Sequence, residues 1–212
     1  ENPKPKFPFI CLTVSGGHTQ LVIVHSPINM EVVGQTIDDA AGEAFDKAGK
    51  MFGLTYPAGP IIDKLAQHGE PIHPFAIAQI PDFNFSFSGF KTSVLYYIQK
   101  ATTKQHDFVE KNLNDLCASV QYTIIKTLEQ KLLKLIKKSK INEIAIAGGV
   151  AANKGLRNRL TELSKLHNFT LYIPKLEYCT DNAAMVAIAA NYKYNERLFS
   201  DQDLTPDPRL PF

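Results

Sequence analysis

Between residues 108 and 138, Leu113, Leu116, Cys117, Val120, Ile124, Leu128, Leu132, Leu135 and Ile136 recur at steps of three and four. That spacing lays them along one stripe of a helix of about eight turns, and so long a stripe has to be hidden against a broad apolar surface. A sheet supplies such a surface, and strand material flanks the helix on both sides. Residues 7–14, 19–25 and 30–37 are β-branched and aromatic runs separated by Ser15-Gly16-Gly17 and Ser26-Pro27-Ile28-Asn29. Both breaks are hairpin length, which predicts a three-strand antiparallel meander. After the long helix come a buried-type strand at 143–147, a Gly148-Gly149 turn, a helix at 153–165, a strand at 169–173 and a helix at 181–196. A meander followed by alternating units predicts a mixed sheet with helices on its faces.

In the middle of the chain Asp38 has N-cap chemistry in front of a helix at 39–51, with Gly53 as its stop. A short helix is expected at 61–68, and the prolines, aromatics and serines of 70–89 predict a loop or an alternating strand-like segment. The 212 residues, 44% hydrophobic and 21% charged, suit one compact unit. A net charge of +2 gives no global argument for nucleic acid or membrane affinity. The longest apolar stretches, 144–152 and 183–190, fall short of the roughly 20 residues of a membrane span. Cys11, Cys117 and Cys179 are far apart with no Cys-x-x-Cys, which points to reduced thiols and a cytoplasmic protein. The start, Glu1-Asn2-Pro3, lacks an initiator Met and a signal region, so a preceding segment is expected.

Four places carry candidate chemistry. In Ser15-Gly16-Gly17-His18-Thr19 the glycines let backbone N–H groups approach an anionic oxygen, with Ser15 and Thr19 as hydroxyl donors, while a tight hairpin needing positive φ would use the same residues. Asp39, Glu43 and Asp46 fall on one helical face, either solvated beside Lys47 and Lys50 or compensated by a ligand such as a ribose diol. In Ala147-Gly148-Gly149-Val150-Ala151-Ala152-Asn153 a parallel strand meets a helix, where open α/β sheets bind ligands, and Asn153 serves as cap, as ligand contact, or as both. Asp181, in Cys179-Thr180-Asp181-Asn182, is an N-cap or a metal ligand. No two of the six histidines stand at i, i+4, so a metal would have to borrow ligands. From Lys126 to Lys165 ten basic residues face Glu129, Glu143 and Glu162, either a solvated face or a footprint for nucleic acid backbone.

The element order matches the ribonuclease H-like half of the actin, sugar kinase and heat-shock ATPase superfamily. Within that class, Val14-Ser15-Gly16-Gly17-His18-Thr19-Gln20-Leu21, residues 37–47, Phe85-Ser86-Phe87-Ser88-Gly89-Phe90-Lys91-Thr92 and Cys179-Thr180-Asp181-Asn182-Ala183-Ala184-Met185 resemble the bacterial-type tRNA N6-adenosine threonylcarbamoyltransferases, the TsaD family once described as O-sialoglycoprotein endopeptidases. The resemblance covers essentially the whole chain. It implies one ATPase-like lobe over 1–212, with a helical insertion at about 55–140, of a two-lobed enzyme whose N-terminal lobe is missing. The implied reaction moves a threonylcarbamoyl group from threonylcarbamoyl-AMP to N6 of the adenosine 3′ to the anticodon, in tRNAs reading codons that begin with A.

By the same resemblance Thr13, Val14, Ser15, Gly16 and Gly17 contact the donor's phosphate and acyl part, and Asp46, Gly59, Asp63 and Asn153 bind the adenylate. Asp181 becomes a ligand of an iron or zinc ion whose two histidine ligands, in a His-x-x-x-His motif, belong just upstream of Glu1. A fragment without them is expected to be inactive alone. The implied partners are tRNA, threonylcarbamoyl-AMP and the accessory proteins TsaB and TsaE. Ala58 and Phe90 depart from the family pattern, which has Gly and Leu there. Two rival readings are a non-catalytic nucleotide-binding scaffold subunit and a small-molecule kinase of the same superfamily.

Overall fold

The computed structural model describes residues 4–205. Its centre is β1 (Phe9–Val14), in a five-stranded sheet with β2 (Thr19–Ser26), β3 (Asn29–Gln35), β4 (Glu143–Ala147) and β5 (Thr170–Tyr172), in the order β3-β2-β1-β4-β5. The meander is antiparallel, from Phe9 opposite Val24 to Val14 opposite Thr19, and β4 joins β1 in parallel with Thr13 beside Ala147. β5 extends the sheet in parallel. Alternation along β1 decides its two faces: Ile10, Leu12 and Val14 are fully buried, while Phe9, Cys11 and Thr13 are half-buried on the other side.

Seven helices surround the sheet among the described residues: α1 (Ala41–Met51), α2 (Gly59–Ala66), α3 (Ser88–Lys104), α4 (Phe108–Lys111), α5 (Leu113–Ser139), α6 (Lys154–His167) and α7 (Ala183–Asn195). The α5 stripe of Leu116, Val120, Ile124, Leu128 and Leu132 enters one core with Ile10, Leu12, Ile144, Ile146 and the α6 leucines Leu156, Leu160 and Leu163. Phe45, Phe85, Phe87 and Phe90 fill it from α1 and the segment leading into α3. Burying large side chains of this kind stabilises by about 1.5–3 kcal/mol each, so this cluster holds the sheet and α5 together.

Several boundaries differ from expectation for identifiable reasons. The helix expected at 108–138 is broken at Asn112, whose side-chain amide donates to the Phe108 carbonyl at 2.8 Å, and α5 starts afresh at Leu113. The helix α3 was not anticipated, because Phe90, Val94 and Ile98 are its only buried positions and its threonines have weak helix propensity. Segment 70–87 is a loop that meets the end of β3 through a bridge between Thr36 and Phe85, with the Phe85 amide donating to the Gln35 carbonyl at 2.9 Å and the Gln35 amide to the Asn84 Oδ1 at 3.0 Å.

Asp38 does not cap α1. Its carboxylate accepts the Phe87 amide at 2.7 Å and the Ser86 hydroxyl at 2.5 Å, pinning the start of α3, and α1 begins at Ala41 instead. Asp181 does not cap α7 either, because the Asn182 side chain accepts the Met185 amide at 3.0 Å.

The helix α7 buries no residue and leaves Met185, Val186 and Ile188 open. Beside it lies the half-covered face of the sheet, where Cys11, Ala145, Leu171 and Tyr172 line a hollow of about 760 Å³ with Met185 and Ile188. No helix among the described residues is long and apolar enough to cross a membrane.

Candidate functional site

Where β1 and β4 end side by side, both strands turn away and leave a hollow of about 330 Å³. Gly148 makes that divergence possible. It has φ +89°, and a Cβ there would stand 2.4 Å from the Val14 carbonyl oxygen. The β1–β2 turn is held by Ser15, whose hydroxyl oxygen accepts the Gly17 and His18 amides at 3.2 and 2.9 Å. The Gly16 amide has no partner among the described residues and Gly16 is exposed, one backbone donor available to an anion. Thr19 is not a second donor. It is fully buried and its hydroxyl oxygen accepts the Ala41 amide at 2.8 Å, tying the turn to the start of α1. Close approach of the two is secured by Gly42, where a Cβ would stand 2.7 Å from the Ser15 carbonyl oxygen.

Gly16, Asp46, Gly59, Asp63 and Asn153 line this hollow together, joined by Phe45, Pro57, Pro60 and Gly149. They come from the β1–β2 turn, α1, α2 and the β4–α6 junction. The Asp46 Oδ1 accepts the Ala58 and Gly59 amides at 2.8 and 3.4 Å, and its second oxygen has no hydrogen-bond partner among the described residues. Asp63 straps α2 to α6, its two oxygens accepting the Lys154 and Gly155 amides at 3.0 and 3.3 Å. A carboxylate offers about four lone-pair sites, so acceptor capacity remains. The Asn153 Oδ1 accepts the Leu156 amide at 2.8 Å as the α6 cap, and its side-chain amide donates to the Gln121 Oε1 at 2.7 Å. Its second amide hydrogen has no partner among the described residues.

Phe45, Pro57, Pro60 and Gln121 were missed by sequence reasoning. Pro57 and Pro60 could have been found as neighbours of Gly59, while Gln121 is hidden inside the α5 stripe. Thr13 and Val14 lie in β1 at the strand end, and Ser15 and Gly17 belong to the turn, so none of these four side chains lines the hollow.

The acidic face at the start of α1 resolves into separate jobs. Lys47 bridges Asp39 at 2.6 Å and Glu43 at 2.8 Å, and Lys91 stands 3.4 Å from the other Asp39 oxygen. Burial works against the Asp39 charge, but Lys47 and Lys91 outweigh it and hold the carboxyl below its usual range. Asp46 is the member of the set that faces the hollow.

Half of the ten basic residues of 126–165 are tied into the fold. Lys131 donates to the carbonyls of Ile80, Pro81 and Asp82, and Lys134 to that of Asp82. Lys126 and Arg159 converge on Glu129 at 2.7 Å each, and Arg157 donates to the carbonyls of Ala151 and Pro174. These five groups are committed to the fold, while Lys137, Lys138, Lys140 and Lys154 are exposed.

Asp181 is exposed, just before α7, and is not among the residues lining the hollow. No three His, Cys, Asp or Glu side chains among the described residues come together in a way that would hold a metal ion. The residues present therefore do not fit a metal by themselves.

The family profile described as TsaD, tRNA N6-adenosine threonylcarbamoyltransferase, matches residues 1–188. A tRNA N6-adenosine threonylcarbamoyltransferase of Cytophaga hutchinsonii is 53% identical over 208 residues, which are 98% of this chain and 61% of that protein. One of Riemerella anatipestifer is 54% identical over 210 residues, again 98% of this chain and 62% of its relative. The chain thus spans about three fifths of the length of the curated relatives it matches. Among solved structures, full-length HypF in its phosphate- and nucleotide-bound form aligns with a TM-score of 0.67 at 14% identity, over 91% of this chain and 34% of that one, a likeness of fold alone. Taken with the mixed sheet and its flanking helices, that likeness bears out the ribonuclease H-like fold expected from the element order. With half its residues shared with these relatives and nearly nine tenths of its length under the family profile, the chain belongs to the tRNA N6-adenosine threonylcarbamoyltransferase family, TsaD.

Proposed function

We propose that this chain is the donor-binding lobe of a tRNA N6-adenosine threonylcarbamoyltransferase and that threonylcarbamoyl-AMP sits in the hollow at the ends of β1 and β4. The observation that carries the reading is the convergence of Gly16, Asp46, Gly59, Asp63 and Asn153 from separate segments on one hollow. On this reading the free Asp46 oxygen accepts ribose hydroxyls, as a carboxylate does in other nucleotide sites. The flat base lies among Phe45, Pro57 and Pro60, with Asn153 offering its free amide hydrogen. The Gly16 amide meets the phosphate.

Attack of the adenosine N6 amine on the carbamoyl carbon builds negative charge on the carbonyl oxygen, and AMP departs as a good leaving group needing little acid assistance. Preorganised N–H donors stabilise such charge. The donor's reacting carbon therefore belongs near the exposed β1–β2 turn, where Thr13 to Gly17 lie. We propose that an iron or zinc ion, held by Asp181, is completed by ligands in the part of the relatives that this chain does not span, as is the second lobe. On this reading the 212-residue chain binds nucleotide and does not turn over alone. TsaB and TsaE are the proposed accessory partners, tRNA the proposed acceptor and the cytoplasm the proposed location.

Calorimetric titration of the chain with AMP tests the site. Binding is expected, with Asp46→Ala weakening it by about 10-fold or more through loss of charged hydrogen bonds. A chain that binds no AMP, or one in which Asp46→Ala and Asn153→Ala both bind as wild type, would rule out this placement of the donor.

A further inference from the structure

The carboxylates of Asp46 and Asp63 are held by backbone amides, whereas Asn153 is held in part by a side chain, that of Gln121. Gln121 does not line the hollow at the ends of β1 and β4. It sits on α5 beside the core residue Val120, is only 9% exposed, and borders a separate hollow of about 490 Å³. A carboxamide so placed costs stability unless it is bonded. The buried hydroxyls of the same helix bond within it: Ser119, Thr123 and Thr127 donate to the carbonyls of Asp115, Ser119 and Thr123. Gln121 instead reaches across to the first residue before α6.

The bonds allow one orientation for both amides. The Leu156 N–H can only donate, so it faces the Asn153 Oδ1 at 2.8 Å, and the Asn153 Nδ2 can only donate, so it faces the Gln121 Oε1 at 2.7 Å. The Gln121 Nε2 is thereby turned toward Gly155, where a Cβ would stand 2.4 Å from it. Gly155 thus leaves the space that the Gln121 amide fills. A capping bond alone fixes the Asn153 oxygen and lets the amide plane tilt; the bond to Gln121 fixes the plane as well.

Resting on the adenylate reading of the hollow, we propose that Gln121 is a positioning residue for the base of the adenylate: it holds the Asn153 carboxamide so that the remaining hydrogen is aimed at the base before the ligand arrives, and Gly155 gives it room to do so. A donor ordered in advance need not be ordered on binding, which raises affinity without any contact between Gln121 and the ligand.

Calorimetry with AMP, run beside urea unfolding of the same variants of the 212-residue chain, tests the role. Gln121→Met, similar in length but without the acceptor oxygen, is expected to weaken AMP binding by about 5-fold or more, and Gln121→Glu, which keeps an acceptor, to stay within about twofold of wild type. Added to Asn153→Ala, which leaves no amide to hold, Gln121→Met should cost less than about twofold further. Gly155→Ala separates positioning from folding. Alanine suits a helix better than glycine, and the atoms nearest its Cβ are the end of a flexible side chain bordering open space, so the urea midpoint should hold or rise while AMP binding falls about as far as in Gln121→Met. A wild-type chain that binds AMP, with Gln121→Met and Gly155→Ala binding it as tightly, overturns the positioning role and leaves the donor reading standing. So does an undiminished further loss from Gln121→Met in the Asn153→Ala background. A wild-type chain that binds no AMP overturns the donor reading and this role with it.

Discussion

Glu129 is 7% exposed and meets two cations at once: Arg159 at 2.7 Å and Lys126 at 2.7 Å. Burial disfavours its charge, and the two cations more than offset that, so its carboxyl titrates below the usual range. Glu129→Gln should destabilise the chain by about 1–3 kcal/mol at neutral pH, less than for a wholly buried pair because Lys126 and Arg159 are about one third exposed. The urea midpoint at pH near 7 measures this, and the difference should shrink in acid, since a lowered carboxylate pKa gives stability that is lost as pH falls.

His73 has the opposite chemistry and the same direction of pH dependence. It is buried, its Nδ1 lies 2.7 Å from the Tyr97 hydroxyl, and its Nε2 has no partner among the described residues. Burial pushes its pKa below 6.5, with the Asp115 charge opposing more weakly. The unfolded chain then binds more protons than the folded one below about pH 6.5, so this contribution is present above that pH and is lost on acidification. The thermal midpoint is expected to fall between about pH 7.5 and 5.5, and His73→Gln should flatten the fall. Neither residue announced itself: Glu129 sat among lysines that read as a solvated run, and His73 lay in a loop. What sequence spacing conveys is which residues share a helix face. It does not convey that Arg159, on α6, closes on Glu129, on α5.

At the scale of elements, α1 controls the site because its first turn is pressed against the β1–β2 turn. Gly42→Ala gains up to about 1 kcal/mol in helix propensity, but its Cβ would lie 2.7–2.8 Å from Ser15 and Gly16 backbone atoms, so the turn would have to shift away from α1. The clash should win, with a net loss of about 1–3 kcal/mol in chemical denaturation and weaker AMP binding, as the Gly16 amide is displaced. Asp38→Ala tests the neighbouring element. Without the bonds to Ser86 and Phe87 the start of α3 loosens, and limited proteolysis should cut faster between about residues 76 and 88. The strands, α5 and α6 were legible because their apolar periodicity is strong and long. The cap at Asp38 was misread because N-cap chemistry and a tertiary carboxylate contact use the same residue type, and the deciding partner lies 49 residues away.

Across the whole molecule, stability is unevenly distributed. The covered side of the sheet, α5 and α6 share one core, whereas α7 buries nothing and stands beside an open hollow of about 760 Å³. A chain ending at residue 182 should therefore melt within about 2 °C of the 212-residue chain, because Met185, Val186 and Ile188 are exposed. The helix itself was legible from its alanine-rich run, but no local signal says whether a helix will find something to lie on. The fold class was legible from element order, since a meander followed by alternating units admits few sheets. The site was legible only as separate motifs, and the convergence of three of them, around Gly16, Asp46 and Asn153, depends on the parallel pairing of β1 with β4, while Asp181 stays apart.

That pairing joins Ile10 to Ile144, about 130 residues apart. A ribosome adding about 5–20 residues per second would finish the meander and then run for some ten seconds before β4 emerged. Throughout that interval the nascent sheet would present the bare edge of its innermost strand, a template for pairing with any neighbouring chain. Holding that edge apart during synthesis is thus a burden that the finished molecule, with β1 enclosed between β2 and β4, no longer displays.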